Sequence, residues 1–180
     1  MESASAKRSA LLIIDMQIGL LHGPDKPFEG PRVVDNINAL IDRARATSTP
    51  VIAVRHTGPQ GSPIAVGSAL WQLAPELKID PGQDFIFDKR RPSCFAGTEL
   101  QARLDGEGVE ELIVVGMKSQ YCVDTTCRAA SELGFNVVLV ADAHTCMDTA
   151  LLSAASIIEH HNATLDGAFV TLLETAQVLR

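Results

Sequence analysis

Three residues far apart in the chain have side chains that together could carry out a nucleophilic hydrolysis: Cys122, Asp15 and Lys89. Cys122 follows an apolar run, Glu111 to Gly116, and the loop Gly116-Met-Lys-Ser-Gln-Tyr121, at the start of an expected helix. A thiol at a helix N-terminus faces unpaired backbone N–H groups and the positive end of the dipole, both of which favour thiolate. The same N–H groups can hold a developing oxyanion. Asp15 ends an otherwise apolar run, where a carboxylate needs a cation, hydrogen-bond donors or its own proton. It could act as general base for the thiol. Lys89 follows a third apolar run and could pair with Asp15 and stabilise the thiolate.

Each residue also has a plainer reading. A free cysteine is commonly a small buried hydrophobe, the role assigned here to Cys94, Cys127 and Cys146. An aspartate after a strand caps the following turn. A lysine beside Arg90 and Arg91 is a solvated charge. The four cysteines form no CxxC pair, so neither a zinc knuckle nor a thioredoxin motif is present.

The surrounding pattern explains how these residues could meet. Strands are expected at Ala10–Asp15 (ALLIID), Pro50–Arg55 (PVIAVR), Asp84–Asp88 (DFIFD), Glu111–Gly116 (ELIVVG), Asn136–Ala141 (NVVLVA) and Ala168–Leu172 (AFVTL). Helices are expected over Val33–Thr47, Thr98–Leu104 with Thr98 as N-cap, Val123–Leu133 ended by Gly134, and Thr149–His161. A long irregular stretch, His56 to Gln83, holds four of the nine prolines and the only Trp. This alternation argues for one α/β domain over 1–180: a three-layer α/β/α, doubly wound, six-stranded parallel sheet of order 3-2-1-4-5-6. Ligands of such sheets bind beyond the carboxyl ends of the strands. The informative positions are therefore Asp15 to Gln17, His56 and Thr57, Lys89 and Arg90, Met117 to Ser119, and Asp142 with His144.

Composition narrows the class. Apolar residues make up 46% and charged residues 21%, as in an ordered globular protein. The net charge of −7 disfavours nucleic acid and anionic lipid as partners. No apolar run approaches the ~20 residues of a membrane span. The polar segment Met1–Ser9 reads as a disordered lead-in and not as an export signal, which makes the cytoplasm the default compartment. The loop after the first strand reads Asp15-Met-Gln-Ile-Gly, without a GxGxxG fingerprint, so no nucleotide cofactor is expected.

Four segments carry a resemblance: ALLIIDMQIGLLHG, FDKRRPSCFAGTEL, ELIVVGMKSQYCVDTTCRAASELGFNVVLVADAHT and IIEHHNATL. In content and order they are similar to the signatures of isochorismatase-like cysteine hydrolases, a group that includes nicotinamidases, N-carbamoylsarcosine amidase and streptothricin hydrolase. The resemblance implies Cys122 as nucleophile, Asp15 as acid/base and Lys89 as their partner. It implies a cis peptide at Met117–Lys118, with the Lys118 and Cys122 N–H groups forming an oxyanion hole. The activity implied is hydrolysis of an amide-type C–N bond of a small molecule through a thioester. Vinyl-ether hydrolysis and a non-catalytic or redox-sensing role are the alternatives.

The chain departs from the nicotinamidase pattern after the second strand. It reads Val54-Arg-His56-Thr-Gly-Pro, with no further His or Cys until Cys94. One imidazole falls short of the three or four protein ligands that Zn²⁺ takes, so no required metal is expected. His56 is assigned either to the substrate or to a loop carbonyl. Gln17, Trp71 and Tyr121 are further candidate substrate contacts, with Phe28 and Phe95 of similar standing. His160 and His161 fall away from the active edge. The apolar faces of Val123–Leu133 and Thr149–His161 suggest a homo-oligomer.

Overall fold

The computed structural model describes residues 7–179. Six strands form one parallel sheet in the order β3-β2-β1-β4-β5-β6. They are β1 (Ser9–Ile14), β2 (Val51–His56), β3 (Phe85–Lys89), β4 (Glu111–Met117), β5 (Asn136–Thr145) and β6 (Thr171–Leu173). The helices are α1 (Ile18–Leu21), α2 (Gly30–Ala46), α3 (Leu100–Gly106), α4 (Asp124–Glu132) and α5 (Ala154–Leu165). The expected architecture and strand order are those observed.

Both faces of the sheet are covered, which is why β1 is continuously apolar. Leu11 and Ile13 join the core beneath α2, with Ile37, Leu40 and Ile41. Ala10, Leu12 and Ile14 point to the opposite core, with Leu100 and Leu104 of α3 and Cys127 and Ala130 of α4. All five β1 residues named are fully buried, and each large aliphatic side chain contributes roughly 1.5–3 kcal/mol of transfer free energy. Among the described residues no helix is long and apolar enough to cross a membrane.

Several boundaries differ from expectation. The lead-in ends sooner, because Ser9 already pairs with Glu111; residues 1–6 lie outside the described ones. Helix α3 has Glu99 at its N-cap, while the Thr98 hydroxyl donates to the Cys94 carbonyl. Helix α5 starts five residues late because Ser153, not Thr149, caps it by accepting from the Ser156 N–H. Thr149 instead organises the preceding turn with Leu151 and Leu152. Strand β5 runs four residues further than expected, through an irregularity in its pairing with β4.

Candidate active site

Strand β1 pairs with β2 on one side and with β4 on the other, so consecutive connections leave in opposite directions from its carboxyl end. That leaves a crevice at the switch point. Asp15, the first residue past β1, stands there with φ of 54°, in the left-handed region that a non-glycine residue rarely occupies. His56 and Lys89 end β2 and β3 and are register partners across that pair. On the other flank β4 leads through a cis Met117–Lys118 peptide into a five-residue π turn, Ser119–Val123, that carries Cys122. Such turns recur at functional sites.

Lys89 is the centre of the cluster. Its ammonium lies 2.9 Å from Asp15 Oδ2, 3.1 Å from His56 Nδ1 and 3.2 Å from Cys122 Sγ. The Arg91 carbonyl, at 3.1 Å, is a fourth acceptor. Lys89 and Asp15 are each 1% exposed. A buried carboxylate and a buried ammonium persist only as such a pair. Asp15 Oδ1 has no hydrogen-bond partner among the described residues, and the Asp15 carboxylate lies within 4.8 Å of the Cys122 sulfur. One carboxylate oxygen therefore holds the lysine while the other is open to accept a proton.

The charges set the resting protonation. Burial, the largest single influence, would lower Lys89, but the Asp15 carboxylate together with the neighbouring Cys94 and Cys122 sulfurs outweighs it and holds the ammonium above its ordinary value. Burial raises Asp15, against the pull of Lys89, and makes it a stronger base than a solvated carboxylate. Burial, then the Asp15 charge, push the Cys122 thiol up to about 12 despite Lys89. This corrects the sequence-based expectation of a dipole-stabilised thiolate. Cys122 sits inside the π turn, ahead of α4, only 9% exposed and beside a carboxylate. Both features push the resting group toward the thiol. His56 is lowered by burial and by Lys89, consistent with a neutral ring accepting through Nδ1.

The remaining candidates separate clearly. His56 belongs to the cluster, held by Lys89 and not by a loop carbonyl. Tyr121, 56% exposed, stands beside Cys122 in the chain. Gln17 is fully buried and committed elsewhere. Its Nε2 donates to the His56 and Trp71 carbonyls, and its Oε1 accepts from the His56 N–H. It clamps the long loop to β2, which corrects its expected place as a substrate contact. Trp71 is buried too, its indole N–H donating to Thr57 Oγ1 at 2.9 Å and the Arg55 guanidinium lying 3.6 Å from its ring centre. It packs the loop and is not an open pocket wall. Phe95, half-buried, stacks on Phe135 against the core, and Phe28 is partly exposed. His161 bonds Asp124 between α5 and α4, away from the cluster.

Asp15, His56 and Cys122 also offer three potential metal-ligand atoms within 4.8 Å of one another. The lone imidazole after the second strand gives no hint of this grouping. The Lys89 ammonium, however, already donates toward all three residues, and a cation added among them would meet that charge at about 3 Å, a repulsion of several kcal/mol even at an effective dielectric of ~20. The donor set is built for an ammonium.

The Isochorismatase domain model matches residues 9–177. The chain belongs to the isochorismatase family. Streptothricin hydrolase of Streptomyces noursei is 38% identical over 140 residues, covering 77% of this chain and 50% of that protein. The chain thus spans half the length of that relative. The secreted isochorismatase effector Isc1 of Verticillium dahliae is 30% identical over 98% of this chain and 93% of its own length. Among solved structures, a cysteine hydrolase from Pseudomonas syringae superposes with a TM-score of 0.89 at 26% identity, over 96% of this chain and 91% of that one. Members of the isochorismatase family are hydrolases.

Proposed function

We propose that the chain hydrolyses an amide-type C–N bond of a small molecule, with Cys122 forming a thioester. The observation that carries this reading is the contact of one buried ammonium with both the Asp15 carboxylate and the Cys122 sulfur. Proton transfer from Cys122 to Asp15 moves the negative charge from oxygen to sulfur while Lys89 stays in contact with both. The active ion pair thus forms without any change of net charge in the buried site. Raising Asp15 narrows the proton-affinity gap that this transfer must cross.

The thiolate attacks the carbonyl carbon as the C–O double bond opens onto oxygen. The oxyanion is received by the backbone N–H groups of Lys118 and Cys122. Collapse expels ammonia or an amine, protonated by Asp15. Asp15 then takes a proton from water, whose oxygen attacks the thioester, and the proton returns to sulfur as the acid leaves. His56 and Tyr121 serve as substrate contacts in this reading, supported by the place of His56 beside Lys89 and by the exposure of Tyr121 next to Cys122 in the chain. The names of two relatives, a streptothricin hydrolase and a cysteine hydrolase, are in keeping with this chemistry. No metal has a part in it. Self-association is also proposed, supported by Leu151 and Leu152, 92% and 52% exposed on the turn before α5.

The deciding experiment measures release of ammonia or amines from a panel of small amides, ureas and lactams by wild type and Cys122→Ala. Turnover that is lost in the variant and survives a chelator is expected. Amine release retained by Cys122→Ala would remove the covalent route, whereas a wild type that releases no amine but cleaves a vinyl ether would favour the alternative, in which Asp15 alone could act as the acid.

A further inference from the structure

A second polar chain lies behind the site, and the mechanism above makes no use of it. Ser119, the first residue of the π turn, has its hydroxyl 2.8 Å from His144 Nδ1. The other ring nitrogen, Nε2, lies 2.8 Å from Asn162 Oδ1 on α5. Ser119 and His144 are 1% and 2% exposed, so neither meets solvent or substrate. A carbonyl oxygen only accepts, so Asn162 assigns the ring proton to Nε2. Nδ1 is then a bare acceptor, and the Ser119 hydroxyl must donate to it. Burial keeps the imidazole neutral, in agreement with this arrangement.

The sheet is deformed to make this contact. Val114 pairs with Leu139, but Gly116 pairs with His144: two residues advance on β4 while five advance on β5. With regular pairing Gly116 would face Ala141. The irregularity therefore brings His144 alongside the residue that precedes the Met117–Lys118 peptide, where its ring reaches the π turn. Within the turn, the Lys118 carbonyl accepts from the Tyr121 and Val123 N–H groups, which closes the turn on itself. The Ser119 hydroxyl ties that closed unit to β5 and α5.

We propose that Ser119, His144 and Asn162 are positioning residues that fix the Lys118–Cys122 backbone so that the Lys118 and Cys122 N–H groups converge on one substrate oxygen. The inference rests on the thiol mechanism proposed above. Ser119 neighbours one of the two donors in sequence, and its hydrogen bond restrains the peptide plane next to it. Small errors in donor direction are costly, since losing one oxyanion donor outright slows such enzymes by roughly 10²–10³.

The test uses two reagents that need the thiol but differ in their need for the donors. Acetaldehyde, labelled with ¹³C at its carbonyl carbon, adds to Cys122 as a hemithioacetal. The S–C bond forms, the C–O π bond opens, and the oxygen sits on the donors and takes the thiol proton. Iodoacetamide alkylates the same sulfur with loss of iodide and places no oxyanion there. Ser119→Ala is expected to weaken the acetaldehyde adduct, read by ¹³C NMR, about tenfold, while the alkylation rate of Cys122 stays within about twofold. His144→Asn keeps an acceptor where Nδ1 stood and should stay close to wild type. His144→Gln restores only the Nε2 side and should fall like Ser119→Ala, and combining the two should add nothing. These two His144 variants carry the comparison even where Ser119→Ala folds poorly. Equal losses with both reagents, no loss with either, or equal behaviour of the Asn and Gln variants would overturn the proposal. A wild-type adduct spectrum indistinguishable from that of Cys122→Ala would instead show that the thiol mechanism itself fails.

Discussion

Gly116 passes so close to Ile14 that a methyl group on its Cα would stand 2.2 Å from the Ile14 carbonyl oxygen. Its φ of +116° also lies outside the range of L side chains. The contact clamps the ends of β1 and β4 together, and it is between these ends that Asp15 and the π turn diverge to form the site. Gly116→Ala is therefore expected to destabilise the fold by roughly 3 kcal/mol or more, combining strain with backbone displacement. Urea unfolding would measure it. A midpoint unchanged within error would mean that the close approach is not required.

The resting state of the thiol gives a second expectation. A nucleophile pushed up to about 12 exists almost wholly as thiol near neutrality. The rate of Cys122 alkylation by iodoacetamide should climb about tenfold per pH unit through pH 9 without levelling. Mass spectrometry at Cys122 follows it. A plateau near pH 7 would show a standing thiolate and restore the helix dipole as its cause.

The positions of Asp15, Lys89 and Cys122 are legible in the sequence because Asp15 and Lys89 stand at the ends of apolar runs, Cys122 follows another after a short loop, and a parallel sheet gathers the carboxyl ends of its strands on one edge. Their electrostatics are not legible, because they depend on which side chains touch. Nothing in the chain announces that Lys89 is 1% exposed while Arg90 beside it is exposed. Gln17 and Trp71 read as substrate contacts because both lie near the active edge in sequence, yet two backbone carbonyls claim the Gln17 amide and Thr57 claims the Trp71 indole. His144 is recognisable as an edge residue, but the extra residues of β5 that turn it inward leave no mark in a β-branched pattern. The start of α5 is ambiguous because Thr149 and Ser153 are both good N-caps, and only the fold decides between them.

The Asp15–Lys89 pair predicts an asymmetric response to mutation. Lys89→Met leaves a buried carboxylate without its cation, which costs about 3–5 kcal/mol when the charge must remain. Asp15 can escape by keeping its proton, so its folded value rises further above that of the unfolded chain. A group raised in this way contributes stability below the unfolded value and loses it as pH rises. Lys89→Met should thus lie closer to wild type at pH 5 than at pH 8, and Asp15→Asn added to it should flatten that dependence. Urea midpoints at the two pH values would show this. Equal deficits at both would mean that Asp15 does not govern the variant.

Gln17→Ala tests the clamp. It would leave the His56 and Trp71 carbonyls and the His56 N–H without their partner, at about 1–3 kcal/mol for each group that water cannot reach. Destabilisation by roughly 2 kcal/mol or more is expected, together with faster proteolytic cleavage within 58–70. A variant with wild-type stability and protection but a raised KM would return Gln17 to the substrate.

His144 supplies an acid-side prediction that is separable from the carboxylates. Burial lowers it to about 4 from an ordinary 6.5, whereas in the unfolded chain it titrates normally. A group depressed in the fold contributes stability above its unfolded value and loses it as pH falls. The loss should begin below about pH 6.5 and approach roughly 3 kcal/mol near pH 4, at ~1.4 kcal/mol for each pH unit crossed. His144→Asn cannot take up this proton, so the difference in unfolding free energy between wild type and variant should narrow over that interval, whatever the carboxylates contribute to both. Two parallel curves between pH 7 and pH 4 would show that the imidazole titrates as freely in the fold as out of it, and would contradict its enclosure between Ser119 and Asn162.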